Sequence, residues 1–171
     1  IGNGGLEEFL VFHRALMAYV LGLVIVGLLW LRPQNRWFYI GALVVLIAAT
    51  LLAGTGITFR SIIRGRPPVT TLYETILFIT ASAVDVALII EFMNRQKIAL
   101  SVAAIIGAMG MFLANRYEIK EGVDTMPSLV AVLDSNFWLS THVVTVTLGY
   151  AAGLLASGIA HAYVLGKLFG V

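Results

Sequence analysis

Five long stretches of apolar residues constrain the fold of this 171-residue chain more than any other feature. A hydrocarbon core about 30 Å thick requires roughly 20 apolar residues per helix, and each stretch meets or approaches that length. They lie at about 9–31, 37–58, 75–93, 98–114 and 137–168. The chain is 60% hydrophobic and only 12% charged, unlike a soluble domain. The sequence therefore predicts an all-α, polytopic membrane helix bundle in the lipid bilayer, with residues 1–171 in a single transmembrane domain.

The remaining composition excludes several classes of function. A net charge of +2, without a basic run interleaved with aromatic residues, argues against a nucleic-acid partner. The sequence contains no cysteine, which excludes disulfides, thiolate metal sites and thiol catalysis within these residues. The sequence begins at Ile1 rather than at methionine, so we expect it to be part of a longer polypeptide.

The connections between the apolar stretches alternate between short and long. "RPQNR" and "NRQK" are tight turns, whereas "RSIIRGRPPVTTLYE" and "NRYEIKEGVDTMPSLVAVLDSN" are long loops. Both long loops and the N-terminus therefore share one side of the membrane, here called the long-loop side; the other is the tight-turn side. Lysine and arginine are almost equally divided between the two sides, so the positive-inside rule does not decide the orientation.

Residues 126–143, "MPSLVAVLDSNFWLSTHV", join the second long loop to the fifth stretch. Apolar residues at helical spacing predict a short interfacial helix at 126–133, followed by a new helix start before the fifth stretch. Trp138 and His142 lie one helical turn apart in that stretch. A neutral imidazole there has the chemistry of an axial haem ligand. From the residues alone, however, the favoured interpretation is an interfacial histidine hydrogen-bonded to a loop carbonyl.

The first long loop concentrates positive charge at the membrane surface. Arg60, Arg64 and Arg66 precede two prolines, and the third apolar stretch opens after Tyr73 and Glu74. Three arginines at an interface can bind the carboxylates of an amphipathic ligand by charge-assisted hydrogen bonds. They can also extend into lipid headgroups, and the sequence leaves both interpretations open.

Other ionisable residues are weaker candidates. Asp85 lies near the middle of the third stretch, where an ionisable group is costly and is a functional candidate by default. A protonated carboxyl, or one hydrogen-bonded to a serine or threonine of a neighbouring helix, fits the sequence equally. His13 lies at the long-loop end of the first stretch. His161 lies roughly 28 Å along the helix from His142, so the two cannot bind one metal. Glu91 is near the membrane edge, where we expect no special role.

Small residues at helical spacing mark two packing faces. Gly149 and Gly153 share a face of the fifth stretch, and Ala103 and Gly107 share one of the fourth. Such spacing lets helix backbones approach closely in lipid. We expect both pairs to pack inside the bundle.

Two segments resemble the CcsA/ResC family of cytochrome c biogenesis proteins, the System II haem lyases that are often fused as CcsBA. "GRPPVTTLYET" is similar to that family's R-x-P-x-x-N-L-Y-E-S loop, and residues 126–143 are similar to its P-L-x-P-x-L-x-S-x-W-L-x-I-H-V segment. The matching positions are Pro68, Leu72, Tyr73, Glu74, Pro127, Leu129, Leu133, Ser135, Trp138, Leu139, His142 and Val143. The chain departs from the pattern at Thr71, Thr75 and Val130, and it lacks the family's tryptophan-rich WWD segment.

The resemblance implies that His142 is an axial ligand to the iron of haem b, with Trp138, Tyr73, Glu74 and the arginines of the first long loop around it. Haem would be the substrate that is attached to apocytochrome c by thioether bonds, together with a CcsB/ResB-type component. The long loops would face outward from a bacterial inner (plasma) membrane or a thylakoid membrane. The resemblance identifies no catalytic residue in this part of the family, and the part alone would be half of a haem site.

Two other classes of function remain compatible with the residues themselves. One is a subunit of a polytopic solute or ion transporter that uses Asp85 and the Arg60–Arg66 loop. The other is a structural membrane subunit that binds no cofactor.

Overall fold

The computed structural model describes residues 3–65, 67–121 and 137–168, where the regular structure is entirely helical. The helices in these residues are α1 (Asn3–Leu31), α2 (Arg36–Arg64), α3 (Leu72–Asn94), α4 (Ile98–Glu121) and α5 (Phe137–Leu168). Each is long and apolar enough to cross a membrane, which confirms the predicted polytopic helical bundle. The interfacial helix predicted at 126–133 lies outside the described residues.

Several helices extend beyond the apolar stretches that predicted them. α1 begins at Asn3, α2 continues to Arg64 and α4 continues to Glu121. Hydropathy marks the part of a helix that lies in hydrocarbon, whereas backbone hydrogen bonds continue into the interface, where water solvates charged side chains. At the end of α2, Gly65 adopts φ of +61°, and its N–H donates to the carbonyl of Ile62 at 3.2 Å. A left-handed residue of this kind ends a helix at little steric cost only when it is glycine.

The first four helices form the bundle, and α5 lies against its side. α1 packs chiefly on α2 and also on α4, α3 packs chiefly on α4, and α5 contacts α3 and α4. Of the five membrane-spanning segments, that of α5 is the least buried. In its most apolar 18 residues, 17% are buried, against 28–50% in the other four segments. Most of the surface of α5 is therefore not covered by the described residues.

The predicted small-residue packing is confirmed for α4 and wrong for α5 within the described residues. Ala103 is fully buried, and a Cβ at Gly107 would collide with the ring of Tyr19 on α1. On α5, no described atom lies within 4 Å of a Cβ built at Gly149 or Gly153. The sequence spacing identifies a smooth helix face but does not say what covers it.

Glu91 joins the end of α3 to the start of α4. It is fully buried, and its carboxylate accepts hydrogen bonds from the backbone N–H of Lys97 at 3.0 Å and of Leu100 at 3.4 Å. The first N–H groups of a helix have no partner within it, so this carboxylate satisfies donors that would otherwise be orphaned. Arg95 and Lys97 are left-handed, with φ of 53° and 66°. Glu91 thus holds a tight turn, which corrects the expectation that it has no special role.

Candidate functional site

Trp138 and His142 lie at the long-loop end of α5, and both are exposed. Trp138 is 77% exposed and stacks edge-to-face on Phe137, with 5.6 Å between ring centroids and 75° between planes. Because four residues separate Trp138 from His142 on a continuous helix, the indole and the imidazole share one face. The structure therefore brings the two predicted residues of this segment onto one accessible surface.

That surface points away from the bundle. The buried positions of α5 are Thr147, Ala151 and Leu155, which follow one another at helical spacing and pack toward α3 and α4. At about 100° per residue, position 151 lies roughly half a turn around the helix from position 142. The His142 side chain therefore faces outward, where it is accessible to a ligand or to another helix.

The first long loop has a different environment, because the ion pair between its two ends is buried. Arg60 Nε donates to Glu74 Oε1 at 2.9 Å, and the two side chains are each only 4% exposed. The other carboxylate oxygen accepts from the N–H of Thr70 at 3.0 Å, from the Thr70 hydroxyl at 2.5 Å and from the N–H of Thr71 at 3.2 Å. The Thr71 hydroxyl accepts from the Glu74 N–H at 3.2 Å, which completes a capping box at the start of α3. One glutamate thus joins α2, the loop and α3.

Tyr73 completes this cluster from the next position along α3. It is 2% exposed, and the Arg60 guanidinium carbon lies 5.1 Å from the centroid of its ring. Phe12 of α1 meets the same ring edge-to-face, with centroids 6.1 Å apart and planes at 88°. Tyr73 and Glu74 of the "TLYE" motif therefore connect α3 to α1 and α2 at the long-loop side.

These contacts favour a positioning role for Arg60, Tyr73 and Glu74 over direct contact with a ligand, because each is buried against the others. The side chains of Arg64 and Arg66 lie outside the described part of the chain, so their predicted contact with haem carboxylates stays a prediction. Sequence reasoning missed Thr70 and Thr71, although Thr-x-x-Glu before an apolar run is the signature of a capping box.

The other two histidines have surroundings that differ from those of His142. His13 lines a small cavity at the long-loop end with Tyr73 and Asn115, between α1, α3 and α4. On α5, His161 Nδ1 lies 2.7 Å from the carbonyl oxygen of Ser157, so it bonds to its own helix and not across the bundle. Within residues 3–65, 67–121 and 137–168, no group of three or more histidine or acidic side chains could hold a metal ion.

The His142 surface fits a haem iron as a half-site. The imidazole is exposed, and the flat, apolar indole one turn away offers a surface against which a porphyrin can lie. His13 lines a separate small cavity and His161 bonds to its own helix, so neither belongs to this exposed surface.

Asp85 lies in a groove between α2 and α3. The groove has a volume of about 620 Å³ and is open on the outside of the bundle. Thr50, Thr55 and Thr58 of α2 contribute hydroxyls to its lining. Arg60 is buried in its ion pair with Glu74 and so is not part of a polar path with Asp85, which weighs against the transporter interpretation.

Comparison with known proteins identifies several similar chains. A cytochrome c biogenesis protein CcsA from Guillardia theta is 26% identical over 162 residues, which cover 92% of this chain and 49% of that protein. One from Trieres chinensis is 29% identical over 75% of this chain and 39% of that protein. One from Microcystis aeruginosa is 32% identical over 57% of this chain and 29% of that protein. No protein-family model and no solved structure matches. This chain spans less than half the length of these curated relatives.

Proposed function

We propose that this chain, whose resemblance to the CcsA family the curated relatives confirm, takes part in cytochrome c biogenesis by forming one side of a haem site. His142 binds the haem iron through its imidazole, and Trp138 packs against the porphyrin. The observation that carries the proposal is the outward position of these two side chains on one face of α5.

In this proposal the reaction is the attachment of haem b to apocytochrome c. Each cysteine thiol of the apocytochrome adds across a haem vinyl group, so that a sulfur–carbon bond forms and the thiol proton goes to the other vinyl carbon. The addition needs no net oxidant. His142 would hold the haem through its imidazole nitrogen, and the exposed surface around it would leave the haem accessible to a partner.

The long-loop side faces outward, in a bacterial inner (plasma) membrane or a thylakoid membrane. A CcsB/ResB-type component completes the complex. The Arg60–Glu74 ion pair and the capping box hold the described part of the first long loop. We expect Arg64 and Arg66 of the same loop to bind the haem propionates.

The decisive experiment is an absorption spectrum of the purified full-length protein, reduced with dithionite. We expect His142→Ala to lose haem, or to keep it with altered axial-ligand bands that added imidazole restores. His161→Ala is the matched control, because it removes an exposed histidine from the same helix on the tight-turn side. It is expected to leave the spectrum unchanged.

Three results would count against the proposal. Identical spectra for the wild type and His142→Ala would show that His142 is a structural residue of the interface. Absence of haem from the wild-type protein expressed with sufficient haem would leave a structural membrane subunit as the better account. Loss of solute flux in Asp85→Asn, with no haem bound, would support the transporter alternative.

A further inference from the structure

The two sides of the bundle differ in their acidic residues, although lysine and arginine are almost equally divided between them. In the sequence, the N-terminus and the two long loops contain seven acidic residues: Glu7, Glu8, Glu74, Glu118, Glu121, Asp124 and Asp134. The two tight turns and the helix ends beside them contain one, Glu91, together with five cations: Arg32, Arg36, Arg95, Lys97 and Lys167. The tight-turn side therefore carries a net positive charge.

The carboxylate of Glu91 is not available to pair with an arginine at the surface. The residue is fully buried, and its two oxygens accept hydrogen bonds from the backbone N–H groups of Lys97 and Leu100. The acidic residue of this side is thus used inside the fold, and the exposed cations have no acidic side chain of this sequence beside them at the surface.

The two tight turns are joined to each other by side chains. Lys97 Nζ donates to the carbonyl oxygen of Pro33 at 2.7 Å, which links the α3–α4 turn to the α1–α2 turn. Close by, Trp30 Nε1 donates to the hydroxyl of Ser101 at 2.8 Å and links the end of α1 to the start of α4. The arginines of the two turns are therefore held on one surface, here called the tight-turn patch: Arg32, Arg36 and Arg95.

The tight-turn patch lies at the depth of the lipid headgroups. Each of the five helices is long enough to cross the hydrocarbon, so the turns at their ends lie in the interface. Trp37, 80% exposed at the start of α2, is of the residue type that is enriched at this depth. All three arginines of the patch are exposed, and none forms an ion pair with another residue that the structure describes.

We propose that the tight-turn patch binds the headgroup of an anionic phospholipid in preference to that of a zwitterionic one. Guanidinium groups bind phosphate oxygens by paired, charge-assisted hydrogen bonds. A zwitterionic headgroup carries a cation of its own, which the patch repels, whereas an anionic headgroup supplies the negative charge that the surface of this side lacks. The interaction is independent of the haem site, which lies at the long-loop end of α5.

The test titrates the full protein in detergent with phosphatidylglycerol or phosphatidylcholine of identical acyl chains, and native mass spectrometry counts the bound lipids. Arg32→Gln/Arg95→Gln removes one exposed cation from each tight turn, and Arg36→Gln/Arg95→Gln is an independent second variant. Arg14→Gln/Arg116→Gln is the matched control, because it removes two exposed cations from the long-loop halves of α1 and α4. Circular dichroism checks that the variants remain folded.

We expect the wild type to bind phosphatidylglycerol about three- to tenfold more tightly than phosphatidylcholine. Both tight-turn variants should lose most of that preference, and the control should keep it. Equal affinities of the wild type for the two lipids would overturn the proposal. An equal loss in the control would also overturn it, because the preference would then reflect net charge alone. A preference that survives in the tight-turn variants would show that another part of the full protein covers these arginines, and the proposal would be wrong.

Discussion

Arg60 and Glu74 form an ion pair with 2.9 Å between Nε and Oε1, although both side chains are almost completely buried. They come from different helices and are joined through a loop that Glu74 also holds by bonds to Thr70 and Thr71. Burying two charges is costly, so such a pair is maintained only when its hydrogen bonds are nearly complete. The long-loop side of the bundle therefore depends on one carboxylate.

Replacing Glu74 by glutamine should destabilise the protein strongly. The substitution keeps the shape of the side chain but removes the negative charge that Glu74 sets against the buried Arg60 guanidinium, and breaking a buried ion pair typically costs about 3–5 kcal/mol of unfolding free energy. Thermal unfolding in detergent, followed by circular dichroism, measures the loss. The double variant Arg60→Gln/Glu74→Gln should lose less than the sum of the two single variants. Additive losses would show that the two charges are not coupled in the folded protein.

The turn between α3 and α4 offers a stabilising substitution. Arg95 has φ of 53° at the end of α3, a conformation that costs an L-residue roughly 1–2 kcal/mol and costs glycine almost nothing. Arg95→Gly should therefore raise the unfolding free energy, by up to about 1 kcal/mol after the added chain entropy of glycine is subtracted. Arg95→Ala removes the same side chain and keeps the strain, so it serves as the control. Equal stabilities of the glycine and alanine variants would contradict the backbone explanation.

The sequence predicts the helices well because the length of an apolar stretch is a local property. The sequence also predicts that Trp138 and His142 share one face of the helix, because helical spacing is fixed. Two other outcomes depend on tertiary contacts that spacing does not contain. Glu91 looks like a residue of the membrane edge, yet its carboxylate reaches across a turn to the backbone of α4. Gly149 and Gly153 have the spacing of a packing motif, but the described helices pack against the opposite face of α5.

Replacing two glycines by alanine, one at a time, should distinguish a packed helix face from an open one. At Gly107 the added methyl group collides with the Tyr19 ring, so Gly107→Ala should cost about 1–3 kcal/mol of unfolding free energy. At Gly153 the methyl group meets no described atom, so Gly153→Ala should be neutral or stabilising by up to about 1 kcal/mol through helix propensity. Unfolding of both variants under one detergent condition gives the comparison.

A different result at Gly153 would also be informative. If Gly153→Ala destabilised the purified chain as much as Gly107→Ala, the exposed face of α5 would be covered in solution. The oligomeric state of the two proteins, measured by sedimentation in detergent, would then show whether a second copy provides that cover.

Trp138 provides a test of the haem site that does not remove the proposed iron ligand. Trp138→Leu deletes the flat indole beside His142, so haem should bind about two- to tenfold more weakly, while the axial-ligand bands keep the positions of the wild type. Titration of haem into the purified variant, followed by its absorption spectrum, measures both quantities. Trp37→Leu is the matched control, because Trp37 is 80% exposed at the tight-turn end of α2. A similar loss of affinity in both variants would show that these tryptophans anchor the helices at the membrane interface and that the indole of Trp138 has no particular contact with haem.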